Sequence, residues 1–158
     1  MGAYPPGAAK ALDEWYPRDE QGQPFIRVPE RFGDPHFFTP SYVGRPMRAQ
    51  PVVGMVQGRQ LMQYDLTPQQ YDALIKLTAA LCRIFPQLPC DYPRDSRGVL
   101  LRQKLPAESY QDYRGILGHY HVQLNKTDPG PAFDWDRVIG ESRTLLGLPA
   151  LERGNIAP

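Results

Sequence analysis

From Thr67 to Phe85 the sequence carries one uninterrupted local code, and it constrains the fold more than any other stretch. Thr67 supplies an N-cap hydroxyl, Pro68 sits where a helix's first N–H has no partner anyway, and Gln70 completes a capping box. Tyr71, Leu74, Ile75, Thr78, Leu81, Cys82 and Phe85 then recur at the spacing of one helical face until Pro86 stops the pattern. An amphipathic helix is expected here, with that face in the core.

Elsewhere the chain is heavily punctuated. Its 18 prolines and 14 glycines make up about a fifth of the residues, against roughly 12% in average usage, so much of the backbone must be turn and loop. Residues 1–50 combine proline and glycine with large aromatics and show no sustained period, which predicts an ordered but irregular covering segment with one short strand over 25–28. Pro51 to Tyr64 reads as two β-prone runs around Gln57-Gly58, a hairpin whose turn uses glycine for a positive φ. Beyond the long helix, Val99 to Leu101 is strand-like, Pro106 can open a short helix to about Tyr113, and Gly115-Ile-Leu-Gly118 reads as a short buried strand. Asp134 can cap a last helix with Trp135, Val138, Ile139 and Leu145 or Leu146 inward, and residues 148–158 form a tail. The expected class is mixed α/β: a central mixed sheet with the 67–85 and 134–146 helices packed on it.

Composition narrows the function classes. At 158 residues and 41% hydrophobic, one domain can build a core without disulfides or a structural metal. A net charge of +1 with scattered basic residues provides no field for nucleic acid, and no nucleic-acid partner is expected. No apolar run approaches the ~18 residues of a membrane span, and Met1 to Lys10 does not read as a signal peptide. Cys82 and Cys90 are too few for a disulfide framework; they either close a small loop in an oxidising compartment or pack as thiols.

The chemistry is concentrated between Gly115 and Trp135. A catalytic zinc takes three protein ligands and leaves one position open for a water, whose pKa it lowers. His119, at the end of the expected strand, and Asp128, across a loop stiffened by Pro129-Gly-Pro131, are two candidate ligands. His121 would share a face with His119 if the strand continued, as a competing ligand or a group that supports the ligands. Lys126, two residues before Asp128, could steady a developing oxyanion.

Gly118-His119, then Lys126-Thr-Asp128-Pro-Gly-Pro-Ala-Phe133 and Trp135, resembles the C-terminal signature of the zinc-dependent N-acetylmuramoyl-L-alanine amidases, relatives of the peptidoglycan recognition proteins. The resemblance covers about residues 50–145, including the Tyr64-Asp-Leu-Thr-Pro-Gln-Gln-Tyr71 opening of the long helix. It implies zinc bound by His119 and Asp128, with Lys126 assisting the tetrahedral intermediate. It also implies a peptidoglycan or muropeptide substrate and a place in the bacterial cell envelope for the full-length protein. Two departures accompany it. His119 to Lys126 is seven residues, one fewer than family members commonly show. The family's first zinc histidine and its general acid/base glutamate, which lie on upstream strands, have no counterpart, so residues 51–147 are expected to be the C-terminal part of an amidase domain. His36 is the only other histidine, and Glu14, Glu30 and Glu108 are bases only by elimination. A peptidoglycan-binding module with an incomplete metal site is the competing expectation.

Overall fold

The computed structural model describes residues 2–33, 39 and 41–151. In chain order these form α1 (Ala9–Trp15), β1 (Val52–Val56), β2 (Arg59–Gln63), α2 (Pro68–Ile84), α3 (Ala107–Asp112), α4 (His119–Val122) and α5 (Trp135–Leu146). Helix and strand are mixed, as expected.

The long helix starts as its sequence dictates. Thr67 Oγ1 accepts the Gln70 N–H at 3.2 Å while the Thr67 N–H reaches Gln70 Oε1 at 2.9 Å, so the box satisfies two N–H groups of the helix start. Thr67→Ala should therefore lower stability by about 1 kcal/mol. Urea unfolding would show it as a lower midpoint at unchanged slope, and an unmoved midpoint would mean the cap contributes nothing. Tyr71, Ile75, Thr78 and Ala79 are buried, facing Val138, Ile139 and Ser142 of α5, where Ser142 Oγ donates to the Ile75 carbonyl at 3.0 Å. Leu77 and Ile84, at 54% and 66% exposure, lie on the other side of the same helix.

Strands β1 and β2 pair antiparallel in the register Val52–Gln63 to Val56–Arg59. Gln57 and Gly58 join them with φ of 53° and 70°, the positive values that a two-residue turn needs to match strand twist. Among the described residues, the only strands are these two. The expected central sheet is reduced to a hairpin, extended at one point where Tyr4 exchanges both backbone hydrogen bonds with Met62.

Three short strand expectations are corrected. Residues 25–28 form no strand; Phe25, Ile26 and Arg27 donate to three separate places, Pro17, Gly44 and Trp15. Near Val99 to Leu101 there is only the single bridge between Arg94 and Leu100. Gly115 to Gly118 forms no strand: the chain bends at Gly115, whose φ is 138°, and Gly118 is extended. Conversely, α1 lies inside the segment expected to be irregular. Its Leu12 packs with Tyr16 and Tyr64 in a small core of their own, while the main core gathers Val56, Leu61, Tyr71, Cys90, Tyr120, Trp135 and Ile139. The segment from Tyr4 to Tyr16 is thus fastened to the hairpin by a backbone bridge and to neighbouring Tyr64 by aromatic packing.

Candidate functional site

His119 opens the one-turn helix α4, with Gly118 extended as its N-cap at φ −82° and ψ 159°. The change from the expected strand to a helical turn alters which side chains share a face. Residues two apart in a strand point the same way, but in a helix they lie about 200° apart. Accordingly His119 is exposed and His121 is wholly buried.

Nine residues on, Asp128 returns to His119. Its Oδ2 lies 3.1 Å from His119 Nδ1, and Gln123 Oε1 lies 2.9 Å from Nε2 on the opposite edge of the ring. Both residues are solvent-exposed. The approach is fixed by backbone as well as side chain, because the Tyr120 N–H donates to the Asp128 carbonyl at 3.1 Å. Gly118 permits it: a Cβ there would stand 2.6 Å from Pro129 Cδ and 3.1 Å from Trp135 Cζ2. The structure therefore brings together the two residues that the sequence singled out as ligands.

His121 is placed otherwise. Its Nδ1 accepts the Gly118 N–H at 2.9 Å and its Nε2 donates to the Leu101 carbonyl at 2.6 Å. With both nitrogens taken by backbone and the ring edge-on to Tyr120 and Trp135, His121 is not a ligand in this arrangement. Its work is to hold the residue before His119. Burial pushes its pKa below the ordinary value and so favours the neutral ring, partly opposed by the bond to Leu101.

Lys126 sits between His119 and Asp128, its N–H on the Gln123 carbonyl at 3.3 Å. Its ammonium makes no ion pair with any described residue. Glu14 pairs with Arg31, Glu30 lies in a short 3₁₀ turn and Glu108 in the first turn of α3. None of these glutamates joins His119 and Asp128, for no three metal-ligating side chains converge among the described residues. His36 lies outside the described residues.

Sequence reasoning missed the residues that shape the Asp128 loop. Gln63, 4% exposed at the end of β2, donates from Nε2 to the Pro129 carbonyl at 2.9 Å and accepts the Ala132 N–H on Oε1 at 3.1 Å. Gly130, at φ 93°, leaves the space for this, since a Cβ there would fall 2.1 Å from Gln63 Oε1. Tyr71 Oη donates to the Ala132 carbonyl at 3.2 Å and accepts the Asp134 N–H at 3.1 Å. Arg48, ion-paired to the buried Asp65, reaches that same carbonyl. One usable signal existed: Gln63 is in phase with Leu61 on β2, so a polar side chain falls on the inward face.

Two open depressions border Asp128. One, of about 370 Å³, is floored by Leu74, Thr78, Phe133 and Val138 and has His119 and Asp128 in its wall. The other, of about 220 Å³, lies between Tyr64, Asp65 and the Asp128-Pro129 segment. Compared with family models, with curated proteins and with solved structures, the chain matches none.

Proposed function

We propose that the chain is part of a zinc-dependent peptidoglycan amidase, cleaving the amide between N-acetylmuramic acid and the L-alanine of the stem peptide. The observation that carries this reading is the 3.1 Å approach of His119 Nδ1 to Asp128 Oδ2, an imidazole and a carboxylate held together at the surface, the carboxylate inside the Lys-Thr-Asp-Pro-Gly-Pro run. An imidazole nitrogen and a carboxylate oxygen are a donor set that zinc accepts. They supply two of the three protein ligands a catalytic site uses, so the third donor and the general base would come from outside the described residues, along with the remaining strands of a central sheet.

Bound there, zinc would act as a Lewis acid toward the scissile carbonyl and acidify a water. The chain's own residues have separate tasks. Gln123, against Nε2, fixes the rotation of the His119 ring. Gln63 and Tyr71 keep the Asp128 loop from drifting, which matters because small misplacements of a reacting group are costly in rate. Lys126 brings an ammonium to the segment between the ligands, where it can stabilise negative charge developing on the carbonyl oxygen. The depressions bordering Asp128 leave room for substrate beside the pair.

Zinc titration of the wild-type chain beside Asp128→Asn and His119→Ala tests the assignment. We expect weak one-to-one binding in the wild type, as two protein donors allow, and its loss in both variants. Binding that survives both replacements would overturn the assignment. Mixing each protein with muropeptides and following release of stem peptide by mass spectrometry separates the catalytic reading from a binding module. Zinc-independent retention on peptidoglycan without release is the outcome that favours the module.

A further inference from the structure

Cys82 and Cys90 play no part in the candidate site, yet the fold brings them together. Cys82 lies in the last turns of α2, partly exposed, and Cys90 is buried at 2% exposure with its thiol 3.9 Å from the Ile139 carbonyl. Cys82 packs against the core cluster that contains Cys90. Between them the chain has already reversed direction: Phe85 N–H closes the helix on Leu81, Leu88 N–H returns to Phe85, and Asp91 N–H returns to Pro89. Pro86 and Pro89 stiffen this return. A cross-link needs its two Cβ atoms brought close, and here two cysteines of one core cluster are joined by a preformed turn.

We propose that Cys82 and Cys90 are a redox pair that closes to an intramolecular disulfide by exchange with a small-molecule disulfide of the glutathione type. The exposures set the order of events. Cys82, the accessible partner, attacks as thiolate on one sulfur of the external disulfide, forming a mixed disulfide and expelling one small thiol. Cys90 then loses its proton to solvent and attacks the Cys82 sulfur, expelling the second. The protein dithiol is oxidised by two electrons and one small-molecule disulfide is reduced to two thiols. Cys90 is a poor first nucleophile because burial, reinforced by the neighbouring Cys82, pushes its thiol pKa up to about 12.

The cross-link would fasten more than the loop it closes. The Cys90 carbonyl accepts from Arg143 of α5 at 2.9 Å, and the next carbonyl, of Asp91, accepts the Ile116 N–H at 2.9 Å in the segment that leads to His119. The C-terminus of α2, helix α5 and the approach to the candidate site would share one covalent anchor.

The test treats the purified chain with glutathione disulfide, blocks remaining thiols with iodoacetamide, and reads the intact mass and the non-reduced peptide map. The expected result is a monomer with no carbamidomethyl group and no glutathione, with a linked peptide joining Cys82 to Cys90. Its melting temperature should exceed that of the reduced protein by about 5–10 °C, as a nine-residue ring in a chain of this size allows. Cys90→Ala should trap Cys82 as a stable glutathione adduct, and Cys82→Ala should leave Cys90 unmodified. Two carbamidomethyl groups on the oxidised wild type, a persistent glutathione adduct or disulfide-linked dimers would each overturn the proposal. If either variant fails to fold, the wild-type mass and map still decide.

Discussion

Gln63→Leu should lower the unfolding free energy by about 3 kcal/mol, although the substitution is close in volume and more apolar. Leucine fills the space but strands the Pro129 carbonyl and the Ala132 N–H, both of which depend on the Gln63 amide. A buried polar group left without a partner costs about 1–3 kcal/mol, and two are orphaned at once. The loss should appear in urea unfolding as a large fall in midpoint. It should also appear as faster amide exchange at Ala132, which distinguishes a loosened Asp128 loop from a general loss of packing. If Gln63→Leu is neutral or stabilising, the loop is held by Tyr71 and Arg48 alone, and the account of Gln63 given above is wrong.

His121→Phe should cost a similar amount, about 3 kcal/mol, for a related reason. Phenylalanine keeps a ring against Tyr120 and Trp135 but strands the Gly118 N–H and the Leu101 carbonyl. Here pH offers an independent check. The folded pKa of His121 is depressed below the ordinary 6.5, so in the range between the two values the unfolded chain binds the proton more readily than the folded one. Stability therefore rises with pH up to about 6.5 and falls as pH drops below it toward the folded value. Structurally, a second proton would place an N–H on Nδ1, facing the Gly118 N–H it now accepts. His121→Phe should remove this contribution, so the wild-type and variant stability curves should converge as the pH is lowered from 7 to 5. Parallel curves over that range would show that His121 does not carry the dependence.

How far the sequence could be read depended on the range over which each feature is encoded. The α2 cap and the first turns of its stripe were legible because Thr67, Pro68 and Gln70 act on neighbours within one turn, but Leu81 and Phe85, expected inward on the same face, are 38% and 56% exposed. The hairpin was legible because Gln57-Gly58 states its own turn geometry. The pairing of His119 with Asp128 was legible as a short motif with a stiff loop. The conformation of His119 itself was not, since Gly115-Ile-Leu-Gly118 is a four-residue apolar run that suits either a strand or an extended lead into a helix. The decision rests on tertiary contacts: His121 reaches Leu101, and Gly118 closes on Pro129. Helix α1 escaped notice because only Leu12 of its seven residues is buried, too little to print a period. Gln63 could be placed on the inward face by its phase with Leu61, but not matched to partners more than sixty residues away.

The hairpin grips the site at both of its ends. At the turn, Gln57 donates from Nε2 to the Tyr120 and Gln123 carbonyls of the His119 helix at 2.8 and 2.9 Å, while at the far end of β2 Gln63 holds the Asp128 loop. The spacing between imidazole and carboxylate is therefore gauged by the length of one strand. A single-residue slip in β2 would turn Gln63 outward and break the gauge, and a longer or shorter turn would move one grip relative to the other. The hairpin thus works as a template against which the two halves of the candidate site are set, so insertions at Gln57-Gly58, remote in sequence from His119 and Asp128, act on the geometry of both.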